Sequence, residues 1–333
     1  MEQLALDIDG VNSTILTDRQ TDRPPQTLAE KIEKAQNVLK LAAEMSGIYY
    51  GKPLIITYSG GKDSDVLLNL AENCLTSNDF EVLNGHTTVD APQTVYHIRE
   101  TFKRLNNKGI KTTIDYHKKA DGTNVTMWSL IIDKHIPPTR IARYCCAVLK
   151  ESTTPNRMCA VGVRAAESTN RKGRDVFSIR GKTKKDAYYY SLSHVSEVHK
   201  ESQEIQDDNW DCTFIKTMKE HKDTVVNPIY EWEDADIWEY IRAKEIKVNP
   251  LYLMGYERVG CIGCPLAPYH HRVKEFKDFP KYKQMYINAF QKMLENYTKK
   301  DIEWKSGEDV FEWWLEEYKR IPKGQMSLFE EDE

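Results

Sequence analysis

The sequence feature that most constrains the fold is an apolar run followed by a glycine pair, Leu-Ile-Ile-Thr-Tyr-Ser-Gly-Gly-Lys-Asp-Ser, from Leu54 to Ser64. The apolar run predicts a buried strand, and the residues from Asp65 onward have helical spacing. Gly60 and Gly61 permit a tight turn that points backbone N–H groups and the positive end of the helix dipole at one spot. A strand, glycine turn and helix in this order suit the binding of a phosphate group.

The side chains around the two glycines add chemistry that fits a nucleotide. Ser59 and Ser64 can donate hydroxyl hydrogen bonds, and Lys62 supplies a mobile positive charge. Asp63 can hold Mg²⁺ or a ribose hydroxyl. The alternative is an ordinary strand-to-helix turn with Ser64 as the helix N-cap. Because each residue has a mechanical role, the sequence favours a phosphate site, although the spacing is not that of a Walker loop.

Strand-like and helical patterns alternate along the chain, which predicts an α/β fold with a parallel β-sheet flanked by helices. The predicted strands are the run from Leu54, Phe80–Val89, Thr112–Asp115 and the strand-like Arg157–Val163. The predicted helices are Leu28 to about Gly47 (after a capping box at Thr27–Glu30), Thr94–Asn107, Val125–His135, Glu233–Ala243, Lys281–Tyr297 and Glu308–Lys319. Because ligands bind at the carboxyl ends of parallel strands, we expect the Ser59 loop, Thr87–Asp90 and the segment after Val163 to meet.

Composition divides the 333 residues into four predicted segments. They are an N-terminal arm and helix (1–50), a central domain (51–265) with an insertion near 181–210, a C-terminal helical region (266–320) and a disordered tail (321–333). A net charge of −4 gives no general argument for nucleic acid. No apolar run is long enough for a transmembrane helix, and the N-terminus lacks the basic start of a signal peptide, so we expect a cytoplasmic protein without a membrane partner.

Four of the seven cysteines form two pairs, Cys145-Cys146 and Cys261-Ile-Gly-Cys264. Four thiolates fit a structural zinc ion or a [4Fe–4S] cluster. Adjacent cysteines are awkward ligands for one tetrahedral ion, whereas a cuboidal cluster offers them separate corners. The pattern therefore favours the cluster, with zinc or free thiols as alternatives. The other cysteines are isolated and are predicted to be small buried hydrophobic residues: Cys74, Cys159 and Cys212.

Several motifs resemble known families in the same order along the chain. Ser59–Ser64 resembles the Ser-Gly-Gly-x-Asp-Ser loop of the PP-loop ATP pyrophosphatases, whose fold is adenine nucleotide α-hydrolase-like. Residues 162–171, Gly-Val-Arg-Ala-Ala-Glu-Ser-Thr-Asn-Arg, are similar to the Gly-x-Arg-x-x-Glu-Ser-x-x-Arg motif of the phosphoadenylylsulfate (PAPS) reductase family. The cysteine pairs, with Lys150 after the first, resemble the cluster pattern of adenylylsulfate reductases. Four further stretches resemble the PAPS reductase family's sequence before its second cysteine pair: Asn227–Trp232, Asp236–Trp238, Asn249–Tyr252 and Gly255-Tyr256.

The resemblance implies a set of site residues, with ATP, Mg²⁺ and a [4Fe–4S] cluster as cofactors. The predicted catalytic residues are Lys62, Asp63, Arg164 and Glu167. The predicted nucleotide-binding residues are Ser59, Gly60, Gly61, Lys62, Asp63, Ser64, Asp90, Arg164 and Arg171. The predicted cluster ligands are Cys145, Cys146, Cys261 and Cys264. The arginines suit phosphate or sulfate oxygens, with Glu167 holding them; a surface ion-pair network is the alternative.

Two departures from the reductases shape the functional hypotheses. The reductases carry a C-terminal Glu-Cys-Gly-Leu-His segment, but this sequence has no cysteine after Cys264. Their PP-loop is degenerate, whereas Ser59–Ser64 is whole. This combination resembles the Dnd-type DNA phosphorothioation subunit and implies an enzyme that adenylylates its target for sulfur transfer, with a sulfur donor such as a cysteine desulfurase. The alternatives are a reductase of adenylyl sulfate or its 3′-phosphate that uses an external thiol, and a non-catalytic nucleotide-binding subunit.

Two segments suggest macromolecular partners. Residues 171–185 are strongly basic and Tyr188-Tyr189-Tyr190 follow, which suits phosphate contacts and base stacking on DNA or tRNA; a solvated loop is the alternative. The pentapeptide Gln325–Phe329 resembles the peptide that docks on the bacterial DNA sliding clamp, and packing on the protein's own surface is the alternative.

Overall fold

The computed structural model describes residues 26–151, 154, 156–167, 176–180, 223–296 and 304–316. Five predicted features lie outside these residues: the arm up to residue 25, the insertion near 181–210, Arg171, Cys212 and the tail from residue 321. Of the basic segment 171–185, only 176–180 is described.

The described chain contains strands and helices in alternation. The helices are α1 (Leu28–Tyr50), α2 (Lys62–Cys74), α3 (Pro92–Asn107), α4 (Met127–Lys134), α5 (Tyr144–Cys146), α6 (Asp234–Ala243), α7 (Tyr269–Asp278), α8 (Pro280–Glu295) and α9 (Gly307–Glu316). The strands are β1 (Leu54–Thr57), β2 (Phe80–Gly85), β3 (Thr112–Asp115), β4 (Met158–Ala160), β5 (Phe177–Arg180) and β6 (Asp223–Val226). A short π-helix (Ala147–Glu151) follows α5, and two short 3₁₀-helices occur at Ala165–Glu167 and Pro250–Met254.

The six strands form one sheet in the order β3-β2-β1-β4-β6-β5. β1 pairs in parallel with β2 and β4, and β4 pairs in parallel with β6. The predicted α/β fold with a parallel sheet flanked by helices is therefore confirmed. The edge strand β5 runs antiparallel to β6 and was not predicted, because its residues stand in a basic stretch typical of an exposed loop.

Two predicted strands are shorter than expected. The strand from Phe80 ends at Gly85 rather than Val89, because Thr88 adopts a φ of 66°, which is incompatible with extended backbone. The strand-like segment from Arg157 is regular only over β4. α1, in contrast, begins at the predicted capping box between Thr27 and Glu30 and continues beyond Gly47 to a left-handed Gly51.

The chain divides into two compact units. The first consists of Met1–Asn84, Gln93–Ile114 and Thr154–Val259, and the second of Gly85–Pro92, Asp115–Thr153 and Gly260–Glu333. In the first unit, apolar side chains of α1, α2, β1 and β4 form the core, including Leu39, Leu54, Val66 and Met158. The segment boundaries that the sequence suggests at residues 50, 265 and 320 remain predictions.

Aromatic rings fill the interior of the second unit. Trp314 on α9 lies 4.7 Å from Tyr286 and 5.4 Å from Phe290, both on α8, measured between ring centroids. Phe311 and Trp314, both on α9, are buried in this interior. The sequence does not predict α7, because its ten residues are mostly polar and charged. Among the described helices, none combines the length and apolar character that a bilayer crossing requires.

Candidate functional site

The glycine turn follows β1 and begins α2, as the sequence predicts. Gly60 has a φ of 73°, and a Cβ atom there would lie 3.0 Å from Cγ1 of Ile98. Both the backbone conformation and the close approach therefore require glycine at this position. The buried Asn249 side chain donates a hydrogen bond of 2.9 Å to the Gly60 carbonyl, which fixes the turn from the side of the Pro250–Met254 helix.

Hydroxyl groups complete the hydrogen bonding of the turn. The Ser64 hydroxyl donates to the Gly61 carbonyl at 2.8 Å and lies 3.2 Å from the Ser59 hydroxyl. Gly61, not Ser64, is the N-cap of α2, so the alternative of Ser64 as N-cap is wrong. The backbone N–H of Lys62 donates to the Tyr252 hydroxyl at 2.9 Å. The first turn of α2 therefore presents polar donors and a phenol at one place.

Two cations and two carboxylates meet beside this turn. Arg164 is buried, and its Nε donates to Asp63. Nη2 of Arg164 and Nζ of Lys62 both lie 3.0 Å from Oδ1 of Asp234. The structure thus brings together three of the four predicted catalytic residues, Lys62, Asp63 and Arg164, and adds Asp234.

The side chains of Lys62 and Asp63 do not extend into solvent. Their side chains are only 9% and 17% exposed. Asp63 forms an ion pair with Arg164, and Lys62 forms one with Asp234. Asp234 is the exposed member of the group, with 60% of its side chain accessible. Burial pushes the pKa of Asp234 upward, but the hydrogen bond and charge of Lys62 and the charge of Arg164 outweigh it, so this pKa lies below its ordinary value.

Close backbone packing holds Arg164 next to the turn. A Cβ atom on Gly162 would lie 3.1 Å from both the carbonyl carbon and the carbonyl oxygen of Asp63. The segment after β4 therefore packs directly against the start of α2, as predicted for the Ser59 loop and the segment after Val163. Glu167 ends the 3₁₀-helix that follows Arg164. Its role in holding the arginine remains a prediction.

A buried polar cluster surrounds Asp65 in the first turn of α2. The Tyr58 hydroxyl donates to Oδ1 of Asp65, and Nε2 of His97 lies 3.1 Å from the same oxygen. Burial is the main cause of the raised pKa values of Asp65 and Tyr58. The cluster connects the strand end, the first turn of α2 and the middle of α3, so it fixes the helix N-terminus that the phosphate hypothesis needs.

All four predicted cluster ligands lie in the second unit and have free thiols. Cys145 and Cys146 share the short helix α5 and form a hydrogen bond with each other. Cys261 and Cys264 are joined by a turn in which the Cys264 N–H donates to the Cys261 carbonyl at 3.2 Å. Over the described residues, no three His, Cys, Asp or Glu side chains are grouped as ligands of a single metal ion.

The other three cysteines contribute to the raised pKa of Cys145. The hydrogen bond with Cys146, then burial, and then the charges of Cys146, Cys261 and Cys264 raise the pKa of Cys145. The same hydrogen bond is the main cause of a lowered pKa of Cys146, to which Lys150 and Arg143 contribute. Burial raises the pKa of Cys261. Cys146 is therefore the thiol of the first pair that ionises more readily.

Asp90 belongs to this second unit. Its backbone forms an isolated antiparallel bridge with Cys261, and its carboxylate accepts a hydrogen bond of 2.8 Å from the Thr87 hydroxyl. The Cys261 thiol lies 3.5 Å from the same hydroxyl. Asp90 therefore supports the second cysteine pair, and its predicted nucleotide contact remains untested.

The C-terminal helices support the Cys261–Cys264 turn. The Gly263 N–H donates to the buried carboxylate of Glu275 on α7 at 2.7 Å, and the Tyr286 hydroxyl donates to the Ile262 carbonyl at 2.9 Å. The indole N–H of Trp314 donates to the Pro138 carbonyl at 2.6 Å. Helices that the sequence presents as a separate extension thus form the wall of the cysteine site.

Sequence reasoning missed several residues that the structure places at these sites. Asn249 and Tyr252 could have been identified from the sequence, because they belong to a stretch that resembles the PAPS reductase family. Asp234 and Glu275 could not: an acidic residue in the first turn of a helix is commonplace, and a glutamate among charged residues reads as exposed.

The chain is similar to one protein family over more than half of its length, and to several curated proteins. Residues 53–267 match the phosphoadenosine phosphosulfate reductase domain. An uncharacterized protein of Methanocaldococcus jannaschii is 25% identical over 256 residues, which are 74% of this chain and 43% of that protein. The chain thus spans less than half the length of this relative. An adenosine 5′-phosphosulfate reductase of Burkholderia cepacia is 44% identical over 41 residues, 12% of this chain and 16% of the reductase.

Solved structures give weaker similarities. The alignment with a phosphoadenylyl-sulfate reductase from Candida auris in a phosphate complex covers 73% of this chain and 97% of the reductase chain, with 14% identity and a TM-score of 0.39. The U34-tRNA thiolase NcsA from Methanococcus maripaludis, solved with its [4Fe–4S] cluster, covers 91% of this chain and 86% of its own, with 12% identity and a TM-score of 0.38. Both TM-scores are below 0.5, so neither similarity supports a functional conclusion.

Proposed function

This chain belongs to the phosphoadenosine phosphosulfate reductase domain family, and on that premise we propose that it is an ATP-dependent sulfur-transfer enzyme that adenylylates its acceptor. The observation that carries the proposal is the convergence of Lys62 and Arg164 on a whole Ser59–Ser64 turn at the end of β1. Both cations are nearly buried, and charges in such surroundings interact with phosphate oxygens far more strongly than surface charges do.

The proposed reaction is attack by an oxygen of the acceptor on the α-phosphorus of ATP. The new bond joins the acceptor oxygen to that phosphorus, the bond to the β-phosphate oxygen breaks, and pyrophosphate leaves. A sulfide-level sulfur would then bond to the activated acceptor atom, the bond from that atom to the adenylylated oxygen would break, and AMP would leave with that oxygen. Lys62 and the N–H groups of the first turn of α2 would hold the departing pyrophosphate, and Arg164 would stabilise negative charge as it develops. Asp63 orients Arg164. A bound Mg²⁺ would neutralise further phosphate charge, and Asp63 is its proposed ligand.

The cysteine site fits the proposed [4Fe–4S] cluster in its donor set. Four thiols that are not in disulfides lie within electrostatic range of one another in one unit. Cys145, Cys146, Cys261 and Cys264 would hold the cluster, which would carry or deliver sulfur once bound. The proposal includes a sulfur donor such as a cysteine desulfurase and an acceptor that is DNA or tRNA. It also includes a bacterial sliding clamp that binds Gln325–Phe329, a segment outside the described residues.

The experiment offers three nucleotides to anaerobically purified protein: ATP, adenylyl sulfate and its 3′-phosphate. Release of pyrophosphate from ATP supports the proposal. Release of sulfite from a sulfonucleotide would instead support reduction with an external thiol, and binding without turnover would support a nucleotide-binding subunit.

A matched pair of variants tests whether pyrophosphate release depends on the proposed phosphate site. Lys62→Met keeps the apolar stem of the side chain but removes its charge, and should abolish pyrophosphate release. Lys31→Met is the control, because Lys31 is also a shielded lysine paired with an aspartate of α6, Asp236. Equal activity in both variants would refute the assignment of the phosphate site.

A further inference from the structure

We propose that Asp234 is a built-in competitor of phosphate: its carboxylate holds the two cations that a polyphosphate needs and gives way when one binds. This inference rests on the proposed function. Nothing in the family motifs singles out Asp234, which stands 70 residues from Arg164 along the chain.

A single oxygen makes both contacts. Oδ1 of Asp234 lies 3.0 Å from Nζ of Lys62 and 3.0 Å from Nη2 of Arg164. One phosphate oxygen could make the same two contacts, since ammonium and guanidinium groups bind carboxylate and phosphate oxygens alike. The carboxylate therefore takes the position that a phosphate oxygen would take.

The two carboxylates of the site are not equivalent. Asp63 has only 17% of its side chain exposed, and its backbone is packed against Gly162. Asp234, with 60% exposed, is the first residue of α6 and can rotate into solvent without disturbing the turn. Asp63 is therefore the fixed partner of Arg164, and Asp234 is the one that can be displaced.

The net charge of the four side chains predicts how a change at Asp234 alters anion binding. Lys62 and Arg164 are positive and Asp63 and Asp234 negative, so the group has no net charge. If Asp234 stayed in place when a polyphosphate bound, two negatively charged groups would contact the same two cations. Their mutual repulsion would weaken binding. Removing the charge of Asp234 leaves the group with a net charge of +1 and should strengthen the binding of an anion.

The test measures the affinity of full-length protein for inorganic pyrophosphate by calorimetry, without divalent cations. Asp234→Asn should bind roughly tenfold more tightly than the wild type, a change of about 1.4 kcal/mol. Glu239→Gln removes the same charge from an exposed position on the same helix and should stay within about twofold of the wild type. A structural lesion would weaken binding, so a gain in affinity identifies competition.

Each other outcome overturns the inference in a recognisable way. Equal or weaker binding by Asp234→Asn, with the wild type binding normally, refutes the competition and leaves the phosphate site intact. Absence of binding in both proteins refutes the phosphate site and the inference together. Asp234→Ala, which leaves the capping box between Glu233 and Asp236 at the start of α6 in place, must show the same gain if Asp234→Asn folds poorly.

Discussion

Gly263 and Phe276 leave no space between them: a Cβ atom on Gly263 would lie 2.6 Å from Cζ of Phe276. Gly263 also has a φ of 71°, which disfavours any side chain. We therefore expect Gly263→Ala to lower the free energy of unfolding by about 3 kcal/mol, from backbone strain and overpacking together. Urea unfolding measures this change.

Gly122 provides the control for that variant, since its φ is 85° and no atom lies within 4 Å of its Cβ position. Gly122→Ala should cost only the backbone contribution, about 1 kcal/mol. Equal losses in the two variants would show that the contact with Phe276 is unimportant.

Asn249 holds the glycine turn from within the protein. Its amide donates to the Gly60 carbonyl at 2.9 Å and to the Thr94 hydroxyl at 3.1 Å. Asn249→Asp replaces both donors with acceptors, so we expect a loss of about 2–3 kcal/mol in unfolding free energy and weaker ATP binding. Thermal melting and ATP titration measure the two effects. Asn288→Asp is the control and should change neither, because Asn288 is an exposed residue of α8 whose side-chain oxygen accepts a hydrogen bond that an aspartate can also accept.

Iron content tests the four-cysteine site. Anaerobically prepared protein should be brown and contain about four irons per chain. Alanine at any one of Cys145, Cys146, Cys261 or Cys264 should bleach it and destabilise the fold. Cys74→Ala removes a half-buried thiol of the first unit and should leave the iron content unchanged. Stoichiometric zinc with no iron would contradict the cluster proposal.

An ion pair between α2 and α3 predicts a pH dependence. Burial pushes the pKa of Glu72 upward, but Arg104, which binds both carboxylate oxygens, and Lys108 outweigh it, so the pKa lies below its ordinary 4.5. The folded state thus favours the ionised form. The pair stabilises the protein above about pH 4.5 and loses this effect as the pH falls through the lower, folded pKa.

Glu72→Gln should therefore cost about 1 kcal/mol at pH 7, and the difference from the wild type should shrink below pH 4.5. Unfolding curves at several pH values measure it. Glu44→Gln, at an exposed position of α1, is the control. A difference that stays constant with pH would refute the ion-pair explanation.

The sequence was most informative where local chemistry decides the structure. The glycines at 60 and 61, the capping box at Thr27 and the strand at Leu54 follow from backbone conformation and burial, and the structure contains all three. The cysteine pairs were found by their spacing alone. Their free thiols and shared unit agree with the prediction, while the cluster itself remains a proposal.

What the sequence could not provide depends on distant partners. Lys62 forms an ion pair with Asp234, and Asn249 holds the turn at Gly60; both partners are far away along the chain. The antiparallel edge strand β5 has no pattern of its own and exists because β6 offers it a free edge.

The second unit is assembled from three separated stretches of chain, Gly85–Pro92, Asp115–Thr153 and Gly260–Glu333. On the ribosome, Cys145 and Cys146 are made long before Cys261 and Cys264, with much of the first unit synthesised in between. The two cysteine pairs cannot meet until translation has passed residue 264, and the helices that wall the site emerge later still. The order of synthesis therefore makes assembly of the four cysteines late relative to synthesis of the first pair, and leaves the first two thiols open to oxidation or to scavenged metal in the nascent chain.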